Sequence, residues 1–462
     1  MTRTVAVPLW LLVLILLFAG VTFASHFLFP SVRWFFRQRT ERVVGRLNRR
    51  LKRPIEPFKL ARRFDMIQRL IYDPAVLRAV AEEAHENGIP ESVAFERARD
   101  FAREIVPSFS TTLYFSVGTR LARWLSRSLY RIRLPQIDMA PLDRLPAEAT
   151  VVYVMNHRSN MDYVLVTWLV SGSGALSYAV GEWARVWPLS GLIRMMGAFF
   201  IRRRERGTLY RRVLARYVQM ATAGGVTQAI FPEGRLSLDG RIGEPRLGLL
   251  SYIVEGAAER GRDVVFVPVG INYDRVLEDR FLIRAQVTGV RRFRPPLGDV
   301  LGALAHHLWQ RVTRRFRGFG TAKVVLGEPL SLAEHLGRAP DRPTEMLAGE
   351  LMARVARAVP AVPVALVARH LLDGAPLTPE ALEARVRGDL ERLEARGAEL
   401  PGRGPQLIVE EALGLLEERG VLVRGPEGVR RGEGERDLFA FYAGSIAHLL
   451  DGAAEPAHDA AT

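Results

Sequence analysis

The stretch "VVYVMNHRSNMDYVLV", residues 151–166, decides the fold. A β-branched and aromatic run, "VVYVM", enters a polar knot, "NHRSNMD", and an apolar run resumes at once. The first run has the composition of a strand buried on both faces. Within one continuous helix, His157 and Asp162 would diverge by about 140°, because each residue turns the helix by about 100°. The two side chains can meet only across a turn. Ser159 or Asn160 suits the N-cap of a helix that begins after such a turn. His157 is then left on the loop leaving the strand, with Asp162 in the first helical turn, where the dipole favours its charge. A carboxylate so placed holds an imidazole in one tautomer and stabilises its protonated form, as an oriented general base requires. The competing reading is a structural histidine.

Outward from this stretch, short apolar runs alternate with helical periodicity as far as Leu326: "ALSYAVG", "GAFFIRR", "VTQAIFPEG", "DVVFVPVGINY" and "AKVVLGEPL". That alternation predicts an α/β sheet with polar motifs at its strand ends. Arg202, Arg203 and Arg204 end one run; guanidinium groups there can hold phosphate bidentately, or simply guard a sticky strand. Another run enters Pro232, Glu233 and Gly234, where glycine permits close approach of a ligand, although ordinary turns use the same residues. Pro268 interrupts "VVFVPVGINY" and predicts an edge strand or a bulge beside a cleft.

The remaining organisation follows from composition. Residues 8–29, "PLWLLVLILLFAGVTFASHFLF", are long enough to cross the hydrocarbon core of about 30 Å, so 1–30 is expected to be a transmembrane anchor. A cleaved signal peptide fits less well, since the apolar run is long and no A-x-A site follows. Residues 31–54 are a basic juxtamembrane segment, with nine Arg and Lys between Val32 and Arg53; this bias puts everything downstream in the cytoplasm and favours anionic headgroups. A helical region at 55–134, a catalytic domain at 135–335, a helical region at 336–450 and a flexible tail at 451–462 complete the expected order. "TPEALEARVRGDLERLEARG" and "LIVEEALGLLEERGVLV" both read as helices of the C-terminal region.

The net charge of +15, nearly all of it arginine, points to an anionic partner, and a phospholipid membrane suits it better than nucleic acid, for which no recognition motif is present. The absence of cysteine excludes disulfides, thiolate metal sites and cysteine acyl-enzymes. G-x-S-x-G, P-loop and H-E-x-x-H templates are also absent.

In order along the chain, the "HRSNMD", "GAFFIR", "FPEG" and "VPV" segments resemble the four blocks of the glycerolipid acyltransferase superfamily, nearest its bacterial membrane-bound glycerol-3-phosphate and dihydroxyacetone-phosphate branch. The C-terminal "LFAFYAGSIAHLL" resembles a segment near the end of those enzymes. The resemblance implies an α/β core with a mixed sheet flanked by helices, and transfer of an acyl group from acyl-CoA or acyl-carrier protein to the sn-1 hydroxyl of glycerol 3-phosphate. It also implies a bacterial inner-membrane location and no cofactor or metal. His157 and Asp162 would be catalytic. Arg158, Ser159, Phe200, Arg202, Arg203, Glu233, Gly234, Arg235, Ser237 and Pro268 would bind substrate. The third block departs from the family's E-G-x-R-S, because Leu236 stands where an arginine is usual and Arg235 sits one place earlier. A lysophosphatidate or other lysophospholipid acyltransferase is the alternative enzyme, and a non-catalytic membrane scaffold the alternative of a different class. Oligomeric state is open.

Overall fold

The computed structural model describes residues 44–49, 51–132, 140–181, 189–202, 207–259, 261–290, 318–338 and 341–451, together with Pro8, Trp10 and Val13. The expected anchor, apart from those three residues, much of the basic segment, Arg203, Arg204 and the tail beyond Asp451 lie outside the described residues. Among the described residues, no single helix is long and apolar enough to cross a membrane. Residues 1–55 with 172–174 form one compact unit, in which Arg53 N donates to Ser173 O at 3.0 Å. Residues 56–171 with 175–462 form the other unit.

Its sheet contains β1 (Thr150–Met155), β2 (Ser177–Val180), β3 (Phe199–Phe200), β4 (Gln228–Ile230), β5 (Val264–Tyr273), β6 (Ala322–Leu326) and β7 (Leu330–Ser331). The order is β3-β2-β4-β1-β5-β6, with β7 also on β5. The first five strands are parallel, whereas β6 and β7 run antiparallel to β5, so the sheet is mixed as expected. The chain therefore leaves β1, β3, β4 and β5 at one common edge, where such sheets gather their functional groups.

The longer helices ahead of the sheet, among the described residues, are α1 (Arg63–Ile71), α2 (Pro74–Asn87), α3 (Glu91–Ile105) and α4 (Thr119–Leu129), the last entered through a π-turn at Leu113–Gly118. Within it come α5 (Met161–Val170), α6 (Thr208–Ala223), α7 (Gly248–Glu255) and α8 (Asp279–Thr288). After it come α9 (Pro343–Ala358), α10 (Pro363–His370), α11 (Pro379–Ala395), α12 (Pro405–Glu418) and α13 (Arg436–Leu450). The pleat of β1 divides the core. Val152 and Val154 pack with α1, α2, α3, α6, α7 and α9. Val151, Tyr153 and Met155 pack with α4, α5, α8 and the bundle α10–α13. Burial on both faces explains why "VVYVM" shows no polar alternation.

Two expectations are corrected here. Pro268 marks neither an edge nor a bulge, because β5 is interior: β1 pairs along one side, while the other side changes partner from β7 at Val265 and Phe266 to β6 at Val269–Tyr273. Pro268 falls in that changeover, where its missing N–H leaves no pairing undone, and its carbonyl accepts from Gly327 N at 2.8 Å. The second correction concerns "LEERGVLV". Helix α12 ends at Glu418, Gly420 turns the chain at φ +67°, and β8 (Leu422–Gly425) with β9 (Gly428–Arg431) forms a hairpin.

Candidate active site

Helix α5 begins at Met161, so the turn required between His157 and Asp162 is present. Ser159 forms it: its carbonyl accepts from Asp162 N at 3.0 Å and its hydroxyl from Met161 N at 3.1 Å. Asn160 precedes the helix without capping it. His157 Nδ1 lies 2.9 Å from Asp162 Oδ2, with both side chains buried. The same Oδ2 accepts from Arg158 N at 2.8 Å and Ser159 N at 3.0 Å, while Oδ1 accepts from the Tyr273 hydroxyl at 2.6 Å. A carboxylate ringed by donors is fixed as the acceptor of the imidazole N–H, which leaves Nε2 as the ring nitrogen available to a substrate proton. The imidazole stacks on Phe231 with centroids 4.0 Å apart and meets the edge of Tyr163 at 5.4 Å.

Strand β5 reaches the site because it outruns β1. Met155 is opposite Val269, and beyond that pair Asn156 holds β5 through its amide, which exchanges bonds with Ile271 N and O at 2.8 and 2.9 Å. Tyr273 therefore stands level with the loop. Just beyond, Glu278 accepts from Ser159 Oγ at 2.7 Å, Asn160 N at 2.9 Å and Asn160 Nδ2 at 2.8 Å, clamping the loop from its outer side. Burial raises the Glu278 carboxyl above its ordinary range.

The segment after β4 closes the other side. Phe231 to Gly234 is a tight turn, with Gly234 N donating to Phe231 O at 2.9 Å and Gly234 at φ +66°. Glu233 Oε1 accepts from His157 N at 2.9 Å and Oε2 from Gly243 N at 3.0 Å. Burial pushes its pKa up to about 7 against those two stabilising bonds. Arg246 packs its stem over Gly234, so that a side chain at 234 would press on it. Ser237 N donates to His157 O at 3.0 Å, and the Ser237 hydroxyl donates to Arg241 O at 2.7 Å, tying the segment to the histidine loop.

Arg158 is buried, donates to Gly240 O and lies 4.9 Å over the Phe441 ring of α13. Its Nε and Nη2 have no partner among the described residues, and burial lowers its pKa. The C-terminal segment "LFAFYAGSIAHLL" thus meets the guanidinium of the histidine loop through Phe441.

Other site residues expected from sequence stand elsewhere. Arg202 holds Glu104 of α3 through Nε at 3.0 Å and Nη2 at 2.7 Å, and stacks over Phe101. Phe200 is fully buried beneath Arg194. Arg235 is exposed, while Leu236 is partly buried against the core, which shows why the two are not interchangeable. Pro268 shares the even face of β5 with Gly270, which lies against Ala358; Tyr273 is on the odd face, so the pleat turns Pro268 away from His157. For Tyr273 and Glu278 the sequence offers only a weak signal, polar residues in "INYDRVLED" at and beyond the end of a buried strand.

An apolar cavity of about 360 Å³ opens beside this site, lined by Asn160, Met161, Tyr163 and Val164 of the loop and α5, and by Leu121 and Leu125 of α4. Among the described residues no cluster of His, Asp and Glu could hold a metal.

A catalytic-type His–Asp pair at the carboxyl edge of a mixed sheet, beside an apolar cavity, defines the class to which the family comparisons point. A model described as "Acyltransferase" matches residues 136–272, and one described as "Glycerol-3-phosphate acyltransferase C-terminal region" matches 308–454. The glycerol-3-phosphate acyltransferase of Aeromonas hydrophila is 29% identical over 85% of this chain and 50% of its own length. That of Pasteurella multocida is 30% identical over 61% and 34%. The crystal structure of the 1-acyl-sn-glycerophosphate acyltransferase of Thermotoga maritima aligns with a TM-score of 0.29 and 20% identity over 52% of this chain and 79% of its own. Both the acyltransferase region and the C-terminal region of the chain are thus similar to glycerol-3-phosphate acyltransferases. The chain spans about half the length of the Aeromonas relative.

Proposed function

We propose that the protein is a membrane-bound glycerol-3-phosphate 1-O-acyltransferase, taking its acyl group from acyl-CoA or acyl-carrier protein. The observation that carries this reading is the His157–Asp162 pair, Nδ1 to Oδ2 at 2.9 Å, placed beside an apolar cavity able to receive an acyl chain. In the proposed reaction His157 Nε2 takes the proton of the sn-1 hydroxyl as its oxygen attacks the thioester carbonyl. The tetrahedral intermediate collapses, the C–S bond breaks, and the imidazolium returns the proton to the leaving thiolate. No covalent enzyme intermediate forms. Asp162 orients the ring and stabilises its cation; general-base help of this kind is worth about 10²–10⁴ in rate. Arg158, a buried residue of the loop whose Nε and Nη2 have no partner among the described residues, would hold the acceptor's phosphate. Residues 1–30 anchor the chain in the bacterial inner membrane, with the catalytic body in the cytoplasm.

The test is an acyl-transfer assay of full-length wild type and His157→Ala in detergent, with glycerol 3-phosphate, dihydroxyacetone phosphate and lysophosphatidate as acceptors. Transfer to glycerol 3-phosphate is expected in the wild type and its loss in a folded variant. A variant that retains most activity would falsify the mechanism, and preference for lysophosphatidate would reassign the acceptor.

A further inference from the structure

We propose that the mouth of the apolar cavity is a docking surface for an anionic phospholipid bilayer. This rests on the membrane reading above and adds to it a contact made by the catalytic body itself, separate from residues 1–30.

Four of the residues lining the cavity are also large exposed hydrophobics: Val117 at 50%, Leu121 at 48%, Leu192 at 37% and Leu277 at 52%. They come from three parts of the chain: the π-turn and α4, the short helix Leu189–Met195, and the loop after β5. The apolar lining therefore continues onto the surface on both sides of the opening. Met195, 38% exposed, follows Leu192 by about one helical turn, and Trp124, 58% exposed, follows Leu121 by about one turn. A rim of this kind marks a contact surface in a soluble environment.

Charge selects the occupant. Helix α4 carries exposed Arg120, Arg123 and Arg127, and the sequence from Val106 to Leu129 contains no acidic residue. At about 100° per residue the three arginines fall within a sector of about 60°, next to the sector of Leu121 and Trp124. An apolar stripe bordered by cations is the arrangement of a helix lying in a headgroup layer, its arginines on lipid phosphates and its leucines among the upper acyl carbons. A protein partner would need its own acidic patch, but would gain nothing from an apolar opening that leads into a cavity. A bilayer uses both features, since an acyl chain can pass from it into the cavity without crossing water.

The chain has no cysteine, so a single introduced thiol can be labelled alone. Full-length Leu121→Cys carrying an environment-sensitive fluorophore is mixed with vesicles of phosphatidylethanolamine and phosphatidylglycerol containing brominated lipid. Asn87→Cys, at the exposed end of α2, is the control. Quenching at 121 and none at 87 is expected. It should fall roughly tenfold in docked fraction when Arg120→Glu and Arg123→Glu are added, and on phosphatidylcholine vesicles. Cosedimentation with the vesicles reports the anchor separately. Protein that cosediments with its 121 label unquenched overturns docking while leaving the anchor intact. Quenching without stable cosedimentation supports docking and removes the anchor. Self-quenching between labels in the absence of any lipid response assigns the face to a second copy, and the proposal fails.

Discussion

Asp162 is the most constrained carboxylate of the site, because three N–H groups and one hydroxyl converge on its two oxygens in a buried setting. An amide at this position cannot serve them all: one of its atoms is itself a donor and must face a donor. Asp162→Asn is therefore expected to lower kcat by about 10²–10⁴, with a smaller change in KM, as steady-state kinetics on folded protein will read. A fall in KM affinity alone would assign Asp162 to binding rather than to the ring. Tyr273→Phe tests the other oxygen. It leaves Oδ1 buried and short of a donor, which costs about 1–3 kcal/mol of stability in urea unfolding. It should also shift the pH–rate profile of the imidazole, a change that a merely structural tyrosine would not produce.

At the scale of elements, β5 brings distant parts of the chain to one place. Its close packing gives a matched pair of predictions. A Cβ on Gly270 would collide with the backbone at Ala358 and Val359, where α9 ends, whereas Gly349 in the middle of α9 has open space around it. Gly270→Ala is expected to destabilise by about 1–3 kcal/mol or more, since backbone cannot step aside as a flexible side chain does. Gly349→Ala should be neutral or stabilising by up to about 1 kcal/mol through helix propensity. Equal midpoints in thermal unfolding would contradict the close approach. The same strand shows what the sequence could reveal. His157 and Asp162 were legible because their relation is local, five residues and one turn. Strands β1 to β6 fall within the short, mostly apolar runs that the sequence displays, whereas the two-residue β7 has no such run of its own. Tyr273 and Glu278 reach the same loop from more than a hundred residues away, through a register that no single strand displays. Pro268 misled for a related reason, since a change of partner along one strand is invisible until both partners are placed. The β8–β9 hairpin was hidden by the helical period that leads into it.

At the scale of the whole molecule, two buried carboxylates tie the sheet to its surroundings and make stability depend on pH in a definite sense. Glu233 joins the loops after β1 and β4. Asp274, buried, accepts from Thr321 N at 2.7 Å and Val364 N at 2.9 Å, joining the end of β5 to β6 and to the start of α10. Burial raises Glu233 from 4.5 to about 7 and Asp274 from 3.8 to about 6. A raised carboxyl binds more protons folded than unfolded between its two pKa values, so its contribution falls as pH rises through that window. Both groups act in the same sense, Asp274 from 3.8 to about 6 and Glu233 from 4.5 to about 7. His448, lowered by burial, works in the opposite sense below its ordinary 6.5. The wild-type profile is thus a sum, and a variant difference isolates the carboxylates. The loss of stability between pH 5 and 8 should be smaller in Glu233→Gln than in wild type, by up to about 3 kcal/mol at the scale of 1.36 kcal/mol per pKa unit. Asp274→Asn should remove a separate increment confined to the lower half of the window. Denaturant unfolding at pH 5, 6, 7 and 8 reads both. Parallel curves for variants and wild type would mean that both carboxylates stay charged in the fold, held by their backbone donors against the burial that pushes them toward neutrality.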